Sequence, residues 1–235
     1  MIKKTIGISS SAVLVIGSIY CLFLLYPTPL FANKHQYRNF TIHSDTPIPQ
    51  SIEAVVDDTI QRLEASELYE PSDNFKLYLC NKDWLFKFFT RNGNAGGVVN
   101  FIISPNIFIR ESEIASNQLI QPTSWKNSME DRPLSYFIAH EAVHSLQRKH
   151  DKFLIFKAPV AVTEGYAEYI AKAKSLSLEK LIESYRNSSP AMNPENGLYD
   201  RYNLYISFLI ERKDYSFSRL VEEKIDLEEV LTGVY

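Results

Sequence analysis

The chain contains too little cysteine for a disulfide framework or for a metal site made of thiolates. Two of its 235 residues are cysteine, and Cys21 lies in an apolar N-terminal run while Cys80 stands alone in the body. Disulfide scaffolds use several paired cysteines, and structural zinc sites usually take clustered thiolates. Any zinc site in this protein must therefore be built from histidine and carboxylate side chains.

An excess of positive charge is also lacking. The 25 lysines and arginines are outnumbered by 28 aspartates and glutamates, which leaves a formal net charge of −3. Proteins that bind nucleic acid present a clustered basic face, so nucleic acid is not an expected partner. Internal repeats, heptads and low-complexity tracts are missing too, which excludes a solenoid or a coiled coil. With 45% hydrophobic residues, the composition is that of one globular domain.

Charge is missing completely from Ile6 to Leu25, a run of 20 apolar or small residues behind Lys3 and Lys4. A helix of this length can span a hydrocarbon core of about 30 Å, and the run exceeds the roughly 7 to 15 apolar residues of a cleaved signal. We therefore expect residues 1–32 to form a signal anchor, a single-pass transmembrane segment in the plasma (inner) membrane. The lysines keep its start in the cytoplasm, so the body lies on the extracytoplasmic side.

Cleavage after Ala32 is the alternative for this segment, and the protein would then be secreted or periplasmic. Leu30 fits poorly the small-residue position that precedes such a cleavage site. The body has no second uncharged run of this length. We therefore expect removal of residues 1–32 to leave a soluble, metal-binding domain.

The run His-Glu-Ala-Val-His at residues 140–144 has the spacing of a metal-binding helix. At about 100° and ~1.5 Å per residue, His140 and His144 lie one turn apart on one face, where both can bind one ion. Glu141 points to the flank of that face, where its carboxylate can accept a proton from a metal-bound water without binding the metal. The spacing predicts ligand, base and ligand, against the alternative of ordinary polar positions on a helix.

Twenty residues after His144 stands Glu164, in the run Thr-Glu-Gly-Tyr-Ala-Glu-Tyr at residues 163–169. From Pro133 to about Tyr169 the chain resembles the gluzincin zinc metallopeptidases, whose second helix carries a glutamate ligand followed by glycine, an aromatic residue and alanine. The resemblance implies that Glu164 is the third protein ligand of one Zn²⁺ ion per chain. It also implies a zincin-like fold.

Two neighbours of Glu164 have expected roles. Gly165, small and next to the ligand, would let this helix approach the metal helix closely. Glu168 lies one turn beyond Glu164 on the same face, where it can orient a ligand imidazole through its other ring nitrogen. A solvated helix carboxylate is the alternative for Glu168.

A competing third ligand is His150, six residues after His144, where metzincins place their third histidine. The glycine that lets the metzincin chain leave the helix is replaced here by Gln147, which adopts such a turn poorly. Without the turn, His150 lies some 600° round the helix from His144, on the wrong side. Glu164 is therefore the favoured ligand and His150 the alternative.

The pattern of elements predicts an α+β domain over residues 33–235, with a small mixed sheet and a helical C-terminal part. Alternating strands are expected at 38–43 and 75–80, separated and followed by amphipathic helices. Helical spacing then dominates after the metal motif. We expect an upper α+β part over about 33–150 and a lower helical part over about 151–235.

Three of the eight glycines fall within residues 93–97, ahead of two expected strands at 98–103 and 106–110. Such a cluster is typical of a loop that bends tightly or moves. The resemblance to gluzincins implies that an edge strand above the site pairs with an extended peptide, and an open edge offers unpaired N–H and C=O groups for this. Either strand can be that edge, and an interior hairpin is the alternative.

The resemblance also implies a tyrosine or histidine that donates to the oxyanion of the tetrahedral intermediate. The segment 198–213 is rich in tyrosine, and Tyr202 is the first choice, with Tyr205 the second. Tyrosines on a helix commonly serve packing instead, with the hydroxyl reaching water.

The function predicted from these features is a zinc-dependent metallopeptidase that hydrolyses peptide bonds in a peptide or protein substrate. Glu141 and Tyr202 are the expected catalytic residues, and His140, His144 and Glu164 the expected ligands. The chain is short for an aminopeptidase, which favours an endopeptidase. The alternatives are a catalytically idle, peptidase-like binding or scaffold module at the membrane, and a hydrolase of another bond.

Overall fold

The computed structural model describes residues 2–122, 132–172 and 176–234, with the side chains of residues 2–10 and of Asn196 left aside. The helices are α1 (Ile2–Leu25), α2 (Ile52–Leu63), α3 (Asp83–Thr90), α4 (Leu134–His150), α5 (Leu154–Lys157), α6 (Val160–Lys172), α7 (Leu178–Arg186), α8 (Tyr199–Lys213), α9 (Phe217–Glu223) and α10 (Leu227–Thr232). The strands are β1 (Asn33–Tyr37), β2 (Phe40–Ser44), β3 (Phe75–Cys80), β4 (Gly97–Val99), β5 (Ile107–Arg110), β6 (Ser112–Glu113) and β7 (Gln118–Leu119).

Five of the strands form one mixed sheet in the order β1-β2-β3-β5-β4. The central strands β2, β3 and β5 are parallel, and the outer strands β1 and β4 each run antiparallel to their neighbour. Strands β6 and β7 pair only with each other. The predicted α+β class with a small mixed sheet is confirmed.

The two faces of the sheet are covered by different helices, because side chains alternate along a strand. The buried residues of one face are Phe40, Ile42, Phe75, Leu77, Leu79, Ile107 and Ile109. They belong to the main hydrophobic core together with residues of α2 and α4. Tyr78, Cys80 and Phe108 point to the other face, where they pack with α3 and the end of α1. The helix with the histidine motif is therefore held against the sheet by apolar burial.

Two strand predictions differ from the structure. The sequence pattern missed β1, because Asn33–Tyr37 is polar and shows no apolar alternation. The chain reverses from β1 to β2 through Arg38, whose φ of 47° is left-handed. The strand expected over 98–103 is shorter, because the chain turns at residues 101–103. What remains is β4, and it forms the edge of the sheet, while β5 lies inside it.

Helix α6 packs against both α4 and α8, and so joins the sheet-bearing part to the helical part. The role expected for Gly165 was wrong in one respect. A β-carbon at Gly165 would come within 2.7 Å of the Tyr202 carbonyl oxygen and within 2.7 Å of Ile206. Both residues lie on α8, so the glycine serves the close contact of α6 with α8 rather than with α4.

The segment predicted to enter the membrane is helical over Ile2–Leu25. Its last turn packs on the far face of the sheet, in a cluster with Phe31 and Tyr78. Within the part of the chain that the structure describes, no helix is both long and apolar enough to cross a membrane.

The contact of α6 with α8 predicts that Gly165→Ala destabilises the fold. The new methyl group collides with backbone of α8, and overpacking of this kind costs roughly 1 to 3 kcal/mol. This exceeds the roughly 0.5 to 1 kcal/mol that alanine gains over glycine inside a helix. Gly233→Ala is the matched control, because its β-carbon meets nothing closer than 3.4 Å. Urea unfolding of the metal-free protein measures both, and equal stability of the two variants would contradict this packing.

Candidate metal centre

Helix α4 carries the two histidines and the glutamate of the predicted motif. It is continuous from Leu134 to His150, so that His140 and His144 lie one turn apart with ring centroids separated by 4.9 Å. His140 and Glu141 are buried, and His144 is half-buried. The motif therefore lies at the wall of the core, where side-chain positions are fixed by packing.

Helix α6 brings Glu164 to both imidazoles. His140 Nε2 lies 3.3 Å from Glu164 Oε2, and His144 Nε2 lies 3.5 Å from Glu164 Oε1. Ligand atoms that share a tetrahedral zinc at about 2.1 Å are separated by roughly 3.4 Å, so these spacings suit one ion. The ligand atoms of all three residues lie within 4.8 Å of one another. The three predicted ligands thus form a cluster that could hold a metal ion.

The second ring nitrogen of His144 is occupied by Gln147. His144 Nδ1 lies 2.9 Å from Gln147 Oε1, which accepts the hydrogen bond of an Nδ1–H tautomer. The amide of Gln147 in turn donates to the Thr163 carbonyl at 2.8 Å. The Gln147 side chain is fully buried. A donor at Nδ1 leaves the Nε2 lone pair facing the cluster, as a metal ligand requires. The residue that replaces the metzincin glycine therefore orients a ligand and ties α4 to α6.

The second ring nitrogen of His140 faces Glu168. His140 Nδ1 lies 3.5 Å from Glu168 Oε2, and the hydroxyl of Tyr136 donates to the same oxygen. The other oxygen forms an ion pair with Lys172 Nζ at 3.0 Å, and Lys172 also contacts Asp200 at 2.7 Å. Glu168 is completely buried, so the alternative of a solvated carboxylate does not hold. This chain of contacts links the ligand on α4 through α6 to the first turn of α8.

The electrostatics of the cluster favour positive charge at its centre. Burial opposes protonation of His140, but its contacts with Glu164 and Glu168 outweigh burial and raise its pKa to about 10. Burial would raise the pKa of Glu164, but both imidazoles hold it well below its usual range. A bound cation would take the place of the imidazole protons, so metal binding would release protons and strengthen as the pH rises.

Glu141 lies beside the three ligands but outside the group. Burial raises the pKa of its carboxyl group, against the opposing effect of the two neighbouring imidazoles. The backbone N–H of Val99 donates a hydrogen bond to this carboxylate and holds it toward β4. A carboxyl group with a raised pKa that does not bind the ion suits a general base.

The glycine-rich stretch before β4 lets this strand lie directly over Glu141. A β-carbon at Gly97 would come within 2.7 Å of the Glu141 side chain, and one at Gly96 within 2.6 Å of the Phe137 ring. The glycines are therefore required by close approach to α4. β4 is the edge of the sheet, and no described strand pairs with its outer side. Apart from the Val99 N–H that Glu141 uses, this edge is open to an added strand next to the cluster.

The two tyrosines chosen from the sequence differ in their relation to the cluster. Tyr205 is buried, and its hydroxyl donates to the Ile225 carbonyl at 2.8 Å, so this second choice serves packing. Tyr202 is half-buried, and burial followed by the charge of Glu164 raises its pKa. Tyr202 is thus near the site.

Tyr199, which the sequence reasoning did not select, contacts the site more directly. Its ring centroid lies 5.9 Å from that of His140. Although 45% of Tyr199 is exposed, partial burial raises the pKa of its phenol, and the charges of Glu164, Glu141 and Glu168 raise it further. It is the first residue of α8, one helical turn before Tyr202. Helical spacing places Tyr199 and Tyr202 on similar sides of α8. Which of the two lies nearer to the cluster depends on how α8 packs on α6.

His150 lies away from the cluster. Its side chain is exposed at the last residue of α4, and its ring contacts Phe217 of α9 with centroids 5.5 Å apart. The helix continues past Gln147 without turning back. The absence of the metzincin glycine at this position predicts this. The metzincin-like alternative therefore lacks its third ligand in this fold.

The cluster predicts which side chains hold the ion. The purified protein should carry about one zinc per chain, and Glu164→Gln should lose most of it, because a neutral amide replaces a charged ligand. His150→Ala and the exposed-loop control Glu195→Gln should keep it. Zinc content by atomic emission after gel filtration measures this. Zinc retained by the Glu164 variant and lost by the His150 variant would reverse the choice of ligand.

Comparison with known proteins assigns no family to this geometry. No protein-family model, no curated protein and no solved structure matches the chain. The chemistry of the site is therefore inferred from the residues themselves.

Proposed function

We propose that this protein is a zinc-dependent metallopeptidase of the gluzincin type, with a zincin-like fold. The observation that carries the proposal is the convergence of His140, His144 and Glu164 with a buried carboxylate, Glu141, beside them. Two imidazoles and one carboxylate are a donor set of catalytic zinc sites, which keep one position open. A zinc ion bound there would polarise the scissile carbonyl and lower the pKa of a water.

Glu141 acts as the base in this proposal. Its buried carboxylate, with a raised pKa, takes the proton of the attacking water and later passes it to the leaving amine. The hydrogen bond from Val99 and the contact with Gly97 fix its position without making it a ligand. Glu168 and Gln147 lie at the second ring nitrogens of the two imidazoles, so the Nε2 atoms would be left to bind an ion.

The substrate is proposed to be a peptide that lies extended along β4. The outer edge of β4 is next to Glu141, and an extended chain can add to it through main-chain hydrogen bonds. Such binding reads the backbone and leaves the ends of the peptide free. This favours cleavage within a chain, and with it an endopeptidase rather than an aminopeptidase.

The oxyanion donor is proposed to be Tyr199. Its phenol is held protonated beside the three site carboxylates, so it can donate a hydrogen bond to an oxygen that gains negative charge. Tyr202, the choice from the sequence, remains the second candidate.

Attachment to the plasma (inner) membrane is proposed from the uncharged run Ile6–Leu25 behind two lysines. The positive-inside rule then places the candidate site on the extracytoplasmic side. Peptides and proteins outside the cytoplasm are the substrates within reach.

Glu141→Gln should keep the bound zinc and lower turnover by ~10²-fold or more, the scale of a positioned base. Internally quenched peptides blocked at both ends measure the rate, and a chelator should abolish it. Glu195→Gln, an exposed carboxylate, is the matched control. Unchanged turnover in the Glu141 variant would remove the mechanism. A zinc-loaded parent protein that binds peptides and cleaves none would favour a binding or scaffold module.

Tyr199→Phe should lower kcat by roughly 10²-fold, the effect of removing one oxyanion donor, with zinc content unchanged. Tyr202→Phe removes the equivalent hydroxyl group one turn further along α8 and should lower kcat much less. Steady-state rates on one blocked peptide compare the two. A large loss in the Tyr202 variant alone would return the role to Tyr202.

A further inference from the structure

The end of α1 is built into the body. Leu24 is 1% exposed and joins a buried cluster formed by the far face of the sheet and by α3. The other buried members of this cluster are Phe31, Tyr78, Cys80, Leu85, Phe86, Phe89 and Phe108. A helix that merely tethered the body would leave this apolar surface to other residues. Here the tethering helix itself supplies part of the core.

The body also caps the last carbonyl groups of α1. Ser104 Oγ donates to the Leu24 carbonyl at 3.1 Å, and Asn106 Nδ2 donates to it at 3.0 Å and to the Leu25 carbonyl at 3.4 Å. Carbonyls in the last turn of a helix have no partner within the helix. Both donors are buried at 3% exposure. Without α1, the side chains of Ser104 and Asn106 would lose the carbonyl groups to which they donate. A buried donor without a partner is costly.

A second set of contacts fixes the side of α1 that faces α3. The hydroxyl of Tyr20 donates to the Phe88 carbonyl at 2.8 Å, and the Arg91 guanidinium lies 5.1 Å from the Tyr20 ring centre. Phe23 packs edge-on against the Phe88 ring at 5.9 Å. With the capped carbonyls, α1 is held at two places one turn apart. Its direction relative to the body is therefore determined.

Before this docked turn, α1 touches little of the body. Val13, Leu14, Val15 and Ile16 are 57% to 71% exposed. Four consecutive residues at about 100° each cover every side of a helix, so this part is apolar all round. Such a surface is stable inside a bilayer and not in water. If this part lies in a bilayer, the docked turn is where the helix leaves it for the body.

We propose that the segment Tyr20–Phe31 is a permanent part of the folded body, so that the chain keeps α1 and is clamped to the membrane in one orientation. The segment resists cleavage after Ala32, because Phe31 and Leu24 must first leave the core. This differs from the expectation that residues 33–235 form a domain by themselves. The proposal does not rest on the peptidase function, and a failed peptidase assay leaves it intact.

The test of the buried contact uses the full chain in detergent micelles with a matched pair of variants. Leu24→Ala opens a cavity and should lower the melting temperature of the body by roughly 5 °C or more. Leu22→Ala removes the same atoms from the same helix at a site that is 56% exposed, and it should shift melting by less than about 2 °C. Equal melting temperatures in the two variants would overturn the proposal.

A second measurement leaves the core intact and tests the orientation. Cys21 is exposed and Cys80 is buried, so a spin label reacts at Cys21 alone, and Trp84→Cys supplies a second label at an exposed position on α3. Double electron–electron resonance should give one narrow distance distribution in the full chain. A broad distribution would mean a flexible tether. Intact mass of the membrane-extracted protein should include residues 20–32, and a stable mature chain that begins at Asn33 would overturn the proposal.

Discussion

The contact on which the site depends is the one between the Glu164 carboxylate and the two imidazoles of α4. Separations of 3.3 and 3.5 Å put negative charge between His140 and His144 at the wall of the core. Burying these groups is costly unless each is paired. The pairing is mutual, since it raises the pKa of His140 and lowers that of Glu164. A cation at the centre would satisfy the same geometry, so the three residues could hold a metal ion.

The surroundings of this contact serve to hold it. Gln147 bonds to one imidazole and to α6, while Glu168 lies 3.5 Å from the other imidazole and continues through Lys172 to Asp200 of α8. The site is thereby connected to three helices. Tyr199 stands next to Asp200 at the start of α8, so the contacts that orient a ligand also set the position of the proposed oxyanion donor.

Close backbone approach is the second constraint, and glycine meets it twice. Gly97 lets the edge strand β4 lie against Glu141, while Gly165 lets α6 meet the backbone of α8. The sequence singles out both glycines as positions where the backbone bends or approaches a neighbour closely. Which neighbour each one approaches is visible only in the fold, and for Gly165 it is α8 instead of the expected α4.

The sequence by itself determined the α+β class, the continuous helix α4 and its pair of histidines one turn apart, because these follow from local periodicity and spacing. It also disfavoured a turn at Gln147 and with it His150 as a ligand, and the structure places His150 against Phe217 instead. Long-range packing decided the rest. Polar β1 has no local signal, and the nearness of the Tyr199 ring to His140 depends on how α8 lies on α6. The end of α1 packs in the core because it covers the apolar far face of the sheet. This face forms only when the strands come together, so no single segment predicts it.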